Sequence, residues 1–199
     1  MITPIPNLKC HILDSPTMQD WARCKEVTLG TIGKHAVTPV DSAWKARMIA
    51  SEHSPIRELT VCVEFENIPY YVATHLVRHH VGCQPYQMSQ RNDRQENYDR
   101  EKAPQDAPVL LRMTMNFQSI IDISKVRLCN QADAKTHYAW VVFLAALGEH
   151  EPEITAACVP KCVYRNGLCS EPFPCTEGVP RSRLLTYRKF ILSAKGKRC

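Results

Sequence analysis

The sequence predicts an α+β fold, in which a central, mostly antiparallel sheet is flanked by helices. Residues 59–65 are rich in β-branched side chains and residues 109–115 are mostly apolar, so both segments are typical of strands. Helical segments are predicted between and after them, at 41–50, 116–127 and 134–147. The 199 residues suit one domain of ordinary size, and 44% hydrophobic with 23% charged residues is typical of a globular chain.

Before residue 60 the chain is predicted to alternate between extended and helical segments. The order is a strand with proline-rich edges, a short helix, a strand or turn, and a second helix: 1–15, 18–23, 26–30 and 41–50. Asp41 and Ser42 are candidate N-caps for the second helix. The following Ser54-Pro55 pair stops it, because the residue before a proline disfavours the helical conformation.

Between the two predicted strands, Pro69 is expected to open a helix from its first turn. Tyr71, His75 and Arg78 are spaced so that they share one face of that helix. Residues 92–107 are strongly polar and are predicted to form a loop.

The strand over 109–115 leads into a helix that starts at Asn116. Ser119, Ile123 and Arg127 follow at i+3, i+7 and i+11, so they form one stripe along the helix with Asn116. The polar members of that stripe are candidates for ligand contacts.

The charge balance limits the classes of partner. The net charge is +5, and the basic residues are scattered until the tail at 195–198, which is expected to be a solvated chain end. A mildly basic chain suits phosphate-bearing ligands, but it does not establish nucleic-acid binding, so nucleic acid is not the first choice of partner.

Two kinds of hydrophobic segment are missing from the sequence. No stretch approaches the ~20 apolar residues of a membrane span. The N-terminus has neither a basic start nor an apolar core, so we expect no signal peptide and a cytoplasmic location, or the host cytoplasm for a viral protein.

A cluster of hydrogen-bond donors follows the predicted helix after Pro69. A basic triplet at a helix end can simply complement the helix dipole, so the triplet alone is weak evidence. Together with the polar stripe from Asn116, the cluster predicts a site for an anionic, hydrogen-bonding ligand such as a nucleotide or a nucleotide-like cofactor. Its members are Arg78, His79, His80, Ser89 and Arg91.

This cluster resembles a motif of the flavin-dependent thymidylate synthases. That family has an Arg-His-Arg triplet, then seven residues, then Ser, with Arg two places later. This chain has Arg78-His79-His80, then eight residues, then Ser89 and Arg91.

A second block is also similar to that family, which has an Asn-Ala-Arg-Ser segment followed by a key arginine. Here Asn116-Phe-Gln-Ser119 is followed eight residues after the serine by Arg127. Three further segments resemble the family's early Ala-Arg-Val-Ser, its His-Glu-(Ser/Thr)-Pro-Phe and its strand-and-helix lead-in: 25–28, 52–56 and 65–78. The resemblance covers roughly residues 20–140.

The chain departs from the family pattern at several positions. His80 replaces the third residue of the triplet, one extra residue precedes Ser89, and Gln87 stands where the family usually has a glutamate. The segment between the two blocks is short, so a phosphate-binding arginine of the family has no clear counterpart. The histidine and Gln-Trp that follow the key arginine in the family are absent near Arg127.

The resemblance implies a thymidylate synthase-complementing-like fold and a specific reaction. In that family dUMP is methylated to dTMP without an enzyme nucleophile. Methylenetetrahydrofolate supplies the carbon, reduced FAD supplies the hydride, and NADPH re-reduces the flavin. The resemblance also implies a homo-oligomer, expected as a tetramer, because the family builds each flavin site from several chains. The lack of a GxGxxG fingerprint fits this family.

The resemblance also implies roles for single residues. Arg127 and Ser89 are the predicted catalytic residues, because a fixed guanidinium can stabilise charge at the uracil carbonyl at any physiological pH. The alternatives are a salt bridge from Arg127 to Asp122 or Asp133, and a simple loop hydroxyl for Ser89. The predicted FAD-binding residues are Thr28, Arg78, His79, His80, Asn116 and Ser119. The predicted substrate-binding residues are His75, Gln87, Ser89, Arg91 and Arg127.

Ten cysteines are a high count for a chain that is expected to be reduced. Cys162, Cys169 and Cys175 are predicted to hold a structural zinc, with Cys158, His150 or Cys199 as the fourth ligand. Their spacing is not the CxxC of common zinc modules, so small buried thiols are the alternative.

We therefore predict two regions, a flavin- and nucleotide-binding catalytic domain over 1–157 and a Cys-rich C-terminal extension over 158–199 that packs on the same domain.

Two other functions stay open. One is a related flavoenzyme that adds another one-carbon group to a pyrimidine nucleotide, and the other is a non-catalytic relative that binds nucleotides or nucleic acid. A flavin spectrum separates the enzymes from the binding protein, and product analysis with dUMP separates the two enzymes.

Overall fold

The central sheet has four strands in the computed structural model, which describes residues 3–35, 38–95 and 98–195. The strands are β1 (Lys9–Asp14), β2 (Thr60–Pro69), β3 (Cys83–Gln87) and β4 (Pro108–Asn116), in the spatial order β1-β2-β4-β3. Each neighbouring pair is antiparallel. The predicted fold class is therefore confirmed.

Helices precede, separate and follow these strands. They are α1 (Met18–Gly30), α2 (Ser42–Ala50), α3 (Tyr70–Val77), α4 (Phe117–Arg127), α5 (Ala134–Gly148), α6 (Pro152–Ala157), α7 (Lys161–Tyr164) and α8 (Arg181–Ala194), with a 3₁₀ turn at Ser54–Glu58. The helices predicted over 41–50, 116–127 and 134–147 are confirmed as α2, α4 and α5. Asp41 caps α2 as predicted, because its side chain accepts a hydrogen bond from the backbone of Trp44 at 2.6 Å.

The hydrophobic core lies against one face of β2 and β4. Val61, Val63 and Phe65 of β2 are fully buried and alternate with more exposed residues, as expected of a strand with one covered face. Met113 of β4 is opposite Val63 in the register and is also fully buried. Phe143 of α5 packs edge-to-face on Phe65, with ring centroids 6.3 Å apart.

The opposite face of the sheet is polar. Arg112 of β4 pairs with Glu64 of β2 at 2.6 Å, and Lys9 of β1 pairs with Glu66 at 3.0 Å. Exposed ion pairs of this kind contribute little to stability. The helices therefore cover a single face of the sheet, and folding depends on the burial of that face.

The prediction of a strand or turn at 26–30 is wrong, because α1 continues to Gly30. A capping box starts this helix, in which Thr17 and Asp20 satisfy each other's backbone N–H groups. Trp21 and Cys24 are fully buried at a helical spacing. This buried face favours a continuous helix and outweighs the β-branched residues that follow.

β3, α7 and α8 are not among the elements predicted from the sequence. β3 has five residues and contains Pro85, which is tolerated because the strand lies at the edge of the sheet. In α8 the less exposed side chains recur at a helical spacing, as Leu184, Tyr187, Ile191 and Ala194, and the prediction from the sequence did not use this pattern.

The C-terminal segment packs on the rest of the chain. The Tyr164 hydroxyl of α7 donates to Glu52 at 2.6 Å, and Lys125 of α4 lies 3.8 Å from the centre of the Tyr164 ring. The Tyr164 side chain thus ties the C-terminal segment to α4 and to Glu52.

A buried carboxylate joins three helical segments at one end of the core. Glu151, which is 2% exposed, precedes α6 and accepts hydrogen bonds from the indole N–H of Trp21 at 2.9 Å and from the ammonium of Lys45 at 3.2 Å. The Lys45 ammonium also lies 4.6 Å from the centre of the Trp21 ring. Burial raises the pKa of Glu151, and both hydrogen-bond partners oppose that rise. Removing this carboxylate would leave two buried donors without an acceptor.

We expect Glu151→Ala to lower the free energy of unfolding by roughly 3–5 kcal/mol, because the Lys45 ammonium and the Trp21 indole N–H lose their acceptor. Urea unfolding followed by tryptophan fluorescence measures this change. Glu149→Ala is the matched control, since Glu149 is exposed two residues earlier and should change stability by less than about 0.5 kcal/mol. Equal effects of the two substitutions would contradict a structural role for Glu151.

Candidate functional site

The two segments that carry the sequence motifs meet at the start of α4. Asn116 is the last residue of β4 and the N-cap of α4, and its Oδ1 accepts a hydrogen bond from the Ser119 backbone at 2.9 Å. The backbone N–H of Asn116 donates to the carbonyl of Gly82 at 2.9 Å. The Ser119 hydroxyl donates to the carbonyl of Val81 at 2.6 Å. Hydrogen bonds therefore join the segment after the basic triplet directly to the second motif.

Gly82 makes this close approach possible. It has a positive φ of 64°, which L side chains rarely adopt. A Cβ at this position would lie 2.4 Å from both Asn116 Nδ2 and Ser119 Oγ. A glycine is therefore required by its backbone conformation and by its packing against α4.

A cavity of about 500 Å³ opens over this junction. His79, Asn116 and Ser119 line it, together with further charged and polar groups, among which the two arginines suit an anion. These further groups are Arg57, Arg78, His80, Gln118 and Asp122. The structure thus brings together five of the six residues predicted to bind FAD; the sixth, Thr28, lies elsewhere, where its hydroxyl donates to the carbonyl of Cys24 at 2.8 Å.

His79 is held as a neutral imidazole by Arg127. The Arg127 Nε–H donates to His79 Nε2 at 2.9 Å, and its Nη2 donates to the carbonyl of His75 at 2.6 Å. Because Nε2 accepts, the ring proton of the neutral histidine is on Nδ1. Burial lowers the pKa of His79 to about 4, with further contributions from the Arg127 and His80 charges.

Arg127 lies behind His79 and is not among the residues that line the cavity. Neither predicted salt bridge is present within the described chain: Asp122 pairs with Lys125 at 2.9 Å, and Asp133 accepts hydrogen bonds from Thr136 at the start of α5. Burial and the charge of Arg78 lower the pKa of the Arg127 guanidinium. The direct catalytic role of Arg127 stays a prediction.

His75 is part of a hydrogen-bond chain at the side of α3. Its Nδ1 is 2.8 Å from the Thr136 hydroxyl, which in turn donates to Asp133 at 2.9 Å. The carboxylate can only accept, so Thr136 accepts from His75 Nδ1–H. The His75 ring therefore positions α3 against α5 and does not line the cavity.

The other predicted substrate-binding residues lie along and beyond β3. At about 3.3 Å per residue, Gln87 is roughly 17 Å along this strand from Gly82. Arg91 pairs with Asp93 at 2.6 Å, and the Ser89 hydroxyl accepts from the Arg91 backbone at 3.3 Å. Ser89 and Arg91 therefore do not line the cavity in this chain. The Gln87 Nε2 is buried and has no hydrogen-bond partner within the described residues.

Sequence patterns missed three polar residues that line the cavity. Arg57 comes from the 3₁₀ turn, and Gln118 and Asp122 come from α4. The i, i+4 spacing of Gln118 and Asp122 places them on one face, which was a usable signal. Nothing in the local sequence indicates that Arg57 approaches α4.

Four cysteines line a second, small cavity of about 30 Å³ at the end of α4. Three of them are the predicted zinc ligands Cys162, Cys169 and Cys175, and the fourth is Cys129. Burial raises the pKa of the Cys129 and Cys162 thiols, and nearby thiols add to that effect. Within the described residues no group of three or more His, Cys, Asp or Glu side chains is arranged as a metal site.

None of the helices described here combines the length and apolar character that crossing a membrane requires.

No family model matches the chain, and no curated protein matches it in sequence. The fold is similar to that of a solved structure, the UMP/dUMP methylase PolB from Streptomyces cacaoi bound with 5-Br dUMP. The TM-score is 0.59, the match covers 76% of this chain and 94% of that chain, and 15% of the residues are identical. At that identity the likeness shows a shared fold, and the family predicted from the motifs stays a prediction.

We expect Gly82→Ala to destabilise the protein by roughly 1–3 kcal/mol, because it combines an unfavourable φ with a steric clash at Asn116 and Ser119. Gly30→Ala is the matched control, since a Cβ there meets nothing within 4 Å. Thermal and urea unfolding of both variants measure the difference. A Gly82 variant as stable as the parent would show that the junction at α4 adjusts freely.

We also expect His79 to make stability depend on pH. Its pKa of about 4 in the folded state is below the value of about 6.5 for an unfolded chain, so the unfolded state binds more protons between these values. The contribution is complete above about pH 6.5 and is lost as the pH falls towards 4. His79→Gln should flatten the loss of stability over this window, whereas His150→Gln, at an exposed position outside the site, should not. Urea midpoints measured from pH 7 to pH 4 that coincide for the parent and His79→Gln would contradict the assignment.

Proposed function

We propose that this chain is an enzyme that methylates C5 of a pyrimidine nucleotide, with dUMP as substrate, methylenetetrahydrofolate as carbon donor, and FAD and NADPH as cofactors. The observation that carries the proposal is the meeting of the two motif segments, 78–82 and 116–119, at one cavity. These are the segments that resemble the flavin-dependent thymidylate synthases. The fold shared with a UMP/dUMP methylase supports the same class of reaction.

The groups at the cavity fit an anionic cofactor. Arg57 and Arg78 supply guanidinium groups suited to pyrophosphate oxygens, and Asp122 is paired with Lys125, which reduces its repulsion of an anion. The volume of about 500 Å³ is within the usual range for ligand sites. FAD, when bound, would supply the hydride that completes the methyl group.

His79 and Arg127 would act together on the bound pyrimidine. A neutral His79 with its proton on Nδ1 can donate a hydrogen bond near neutral pH, and Arg127 holds it in that form. The guanidinium adds a permanent positive charge behind the ring. Both groups favour the negative charge that develops on a uracil carbonyl oxygen as C5 becomes nucleophilic. Arg127 in this proposal acts through His79.

Residues 87–91 would complete the site from a second copy of the chain. Within one chain β3 carries this segment away from the cavity, and a half-open cavity of this size does not surround a cofactor as large as FAD. We therefore propose a homotetramer in which Ser89 and Arg91 bind the nucleotide at a shared site.

UMP is the second candidate substrate. The similar solved structure is of a protein named as a UMP/dUMP methylase, and this chain has His80 and Gln87 at positions where the resembling family has Arg and Glu. A different pair of side chains at a nucleotide site can change the choice of sugar or of one-carbon group.

The purified protein should be yellow, with a flavin spectrum, and should convert dUMP to dTMP with methylenetetrahydrofolate and NADPH.

Arg78→Ala should lose flavin, because a charge-assisted bond to a bound anion contributes about 1.5–3 kcal/mol. Arg127→Lys should retain flavin but lower turnover about 10²–10³-fold, because it keeps the charge and loses the fork that orients His79. Absorbance spectra and chromatography of the nucleotide product measure both effects.

Arg23→Lys is the matched control for Arg127→Lys, because Arg23 lies on the exposed side of α1 and pairs with Asp20. It should leave both flavin and turnover unchanged. A colourless protein that binds no flavin would overturn the cofactor assignment. Methylation of UMP alone would replace dUMP as the substrate, and full turnover by Arg127→Lys would remove Arg127 from the mechanism.

A further inference from the structure

The second cavity gathers thiols from three separate parts of the chain. Cys129 follows the end of α4, Cys162 lies in α7, and Cys169 and Cys175 come from the segment between α7 and α8. All four are free cysteines. Four thiols around a cavity as small as about 30 Å³ is the composition of a thiolate-rich metal site.

The structure narrows the choice of the fourth zinc ligand. Cys158 lines a different cavity, between α5, α6 and α8, and burial raises its pKa to about 12. His150 is exposed at the end of α5 and does not line the cysteine cavity. Cys199 lies outside the described residues. Cys129 is the thiol that the fold places beside the other three, although it is distant from them in sequence.

The segment between α7 and α8 has little else to hold it in place. Residues 165–180 contain no helix or strand, and two of their large apolar side chains are exposed, Leu168 at 66% and Phe173 at 84%. Polar groups hold it to the α4–α5 connection. The Asn130 side-chain amide, for example, donates a hydrogen bond to the Glu177 carboxylate at 2.6 Å. Segments that cannot bury enough apolar surface are commonly stabilised by a metal or by disulfides.

Charged side chains also line the cavity. Lys161 and Arg183 carry positive charges that would offset part of the negative charge of metal-bound thiolates. Glu171 is the carboxylate on the same wall. Soft thiolate ligands select Zn²⁺ over the hard cations that prefer oxygen.

We propose that Cys129, Cys162, Cys169 and Cys175 bind one Zn²⁺ through four thiolates. Because no three of these side chains are arranged as a metal site in the described residues, the thiols must converge when the ion binds. Helical backbone fixes Cys162, and the end of α4 fixes Cys129, so the irregular segment that carries Cys169 and Cys175 makes the movement. The four thiol protons are released to solvent on binding. The site is structural and is independent of the proposed methylation.

The decisive variant is Cys129→Ser, because it removes the ligand that the fold adds to the three C-terminal cysteines. The full-length protein, purified without chelator, should contain one zinc per chain. Cys129→Ser should bind zinc more than about 100-fold more weakly, since even the loss of an outer-shell partner costs 10–100-fold. Cys62→Ser is the matched control, because Cys62 is a half-buried free cysteine on β2 and should leave zinc content unchanged. Elemental analysis and competition with a chelating dye measure content and affinity.

A second measurement needs no variant. Zinc should protect these four thiols from an alkylating reagent, with mass spectrometry to identify the modified residues. Cobalt in place of zinc should give the intense thiolate-to-metal absorption of tetrahedral thiolate coordination. A protein without zinc whose four thiols react equally with and without added Zn²⁺ would overturn the proposal. Unchanged zinc affinity in Cys129→Ser would overturn the assignment of Cys129, and a disulfide between any two of the four in the freshly purified protein would overturn the metal site.

Discussion

The geometry of the candidate site depends on Asn116, which ends β4 and caps α4 with no loop between them. Because Asn116 pairs with Thr60 in the sheet, the start of α4 is tied to the register of the two central strands. At the other end of β2, Pro69 turns the chain directly into α3, whose eight residues extend about 12 Å back along the sheet. This return carries residues 78–82 to the end of β4, where the carbonyl of Gly82 accepts the Asn116 N–H. The cavity is therefore a consequence of two strand-to-helix transitions without loops.

Positive charge is concentrated at this cavity with little local compensation. Arg57 and Arg78 line it. The Arg127 side chain donates its hydrogen bonds to two neutral acceptors, the His79 ring and the His75 carbonyl. Burial and the charge of Arg78 oppose the charge of Arg127, which is the reason its pKa is lowered. The fold maintains this arrangement at a cost in stability, and such costs are commonest where a protein binds or transforms a ligand. An anion at the cavity would offset the repulsion, which favours a phosphate-bearing ligand over a neutral one.

The main elements could be predicted from the sequence because their signals are local, namely the β-branched residues of β2, the apolar residues of β4 and the Asn116 start of α4. β3 could not, because a five-residue edge strand containing a proline gives no local signal and exists through its pairing with β4. The same unpredicted strand explains why the sequence grouped residues that the structure separates. Residues 78–80 and 89–91 are close in sequence, and β3 separates them in space. Cys129 was missed for the converse reason, since only the packing of α7 beside α4 brings it to the later cysteines.

α4 joins the candidate site to the C-terminal segment, and Glu52 is the contact through which they are coupled. Glu52 has a positive φ of 47° and accepts hydrogen bonds from Gln118 at the cavity, from Lys125 in the last turn of α4, and from the hydroxyl of Tyr164 in α7. Burial alone would raise the pKa of Glu52, and these three partners lower it instead, so the carboxylate is held ionised. A non-glycine residue in this conformation persists only where its contacts over-determine it. The contact between Tyr164 and Glu52 therefore holds α7 in place, and Gln118 is held beside the cavity by the same carboxylate. The thiol cluster and the motif cavity are distinct in chemistry, but the same helix and the same carboxylate fix the position of both.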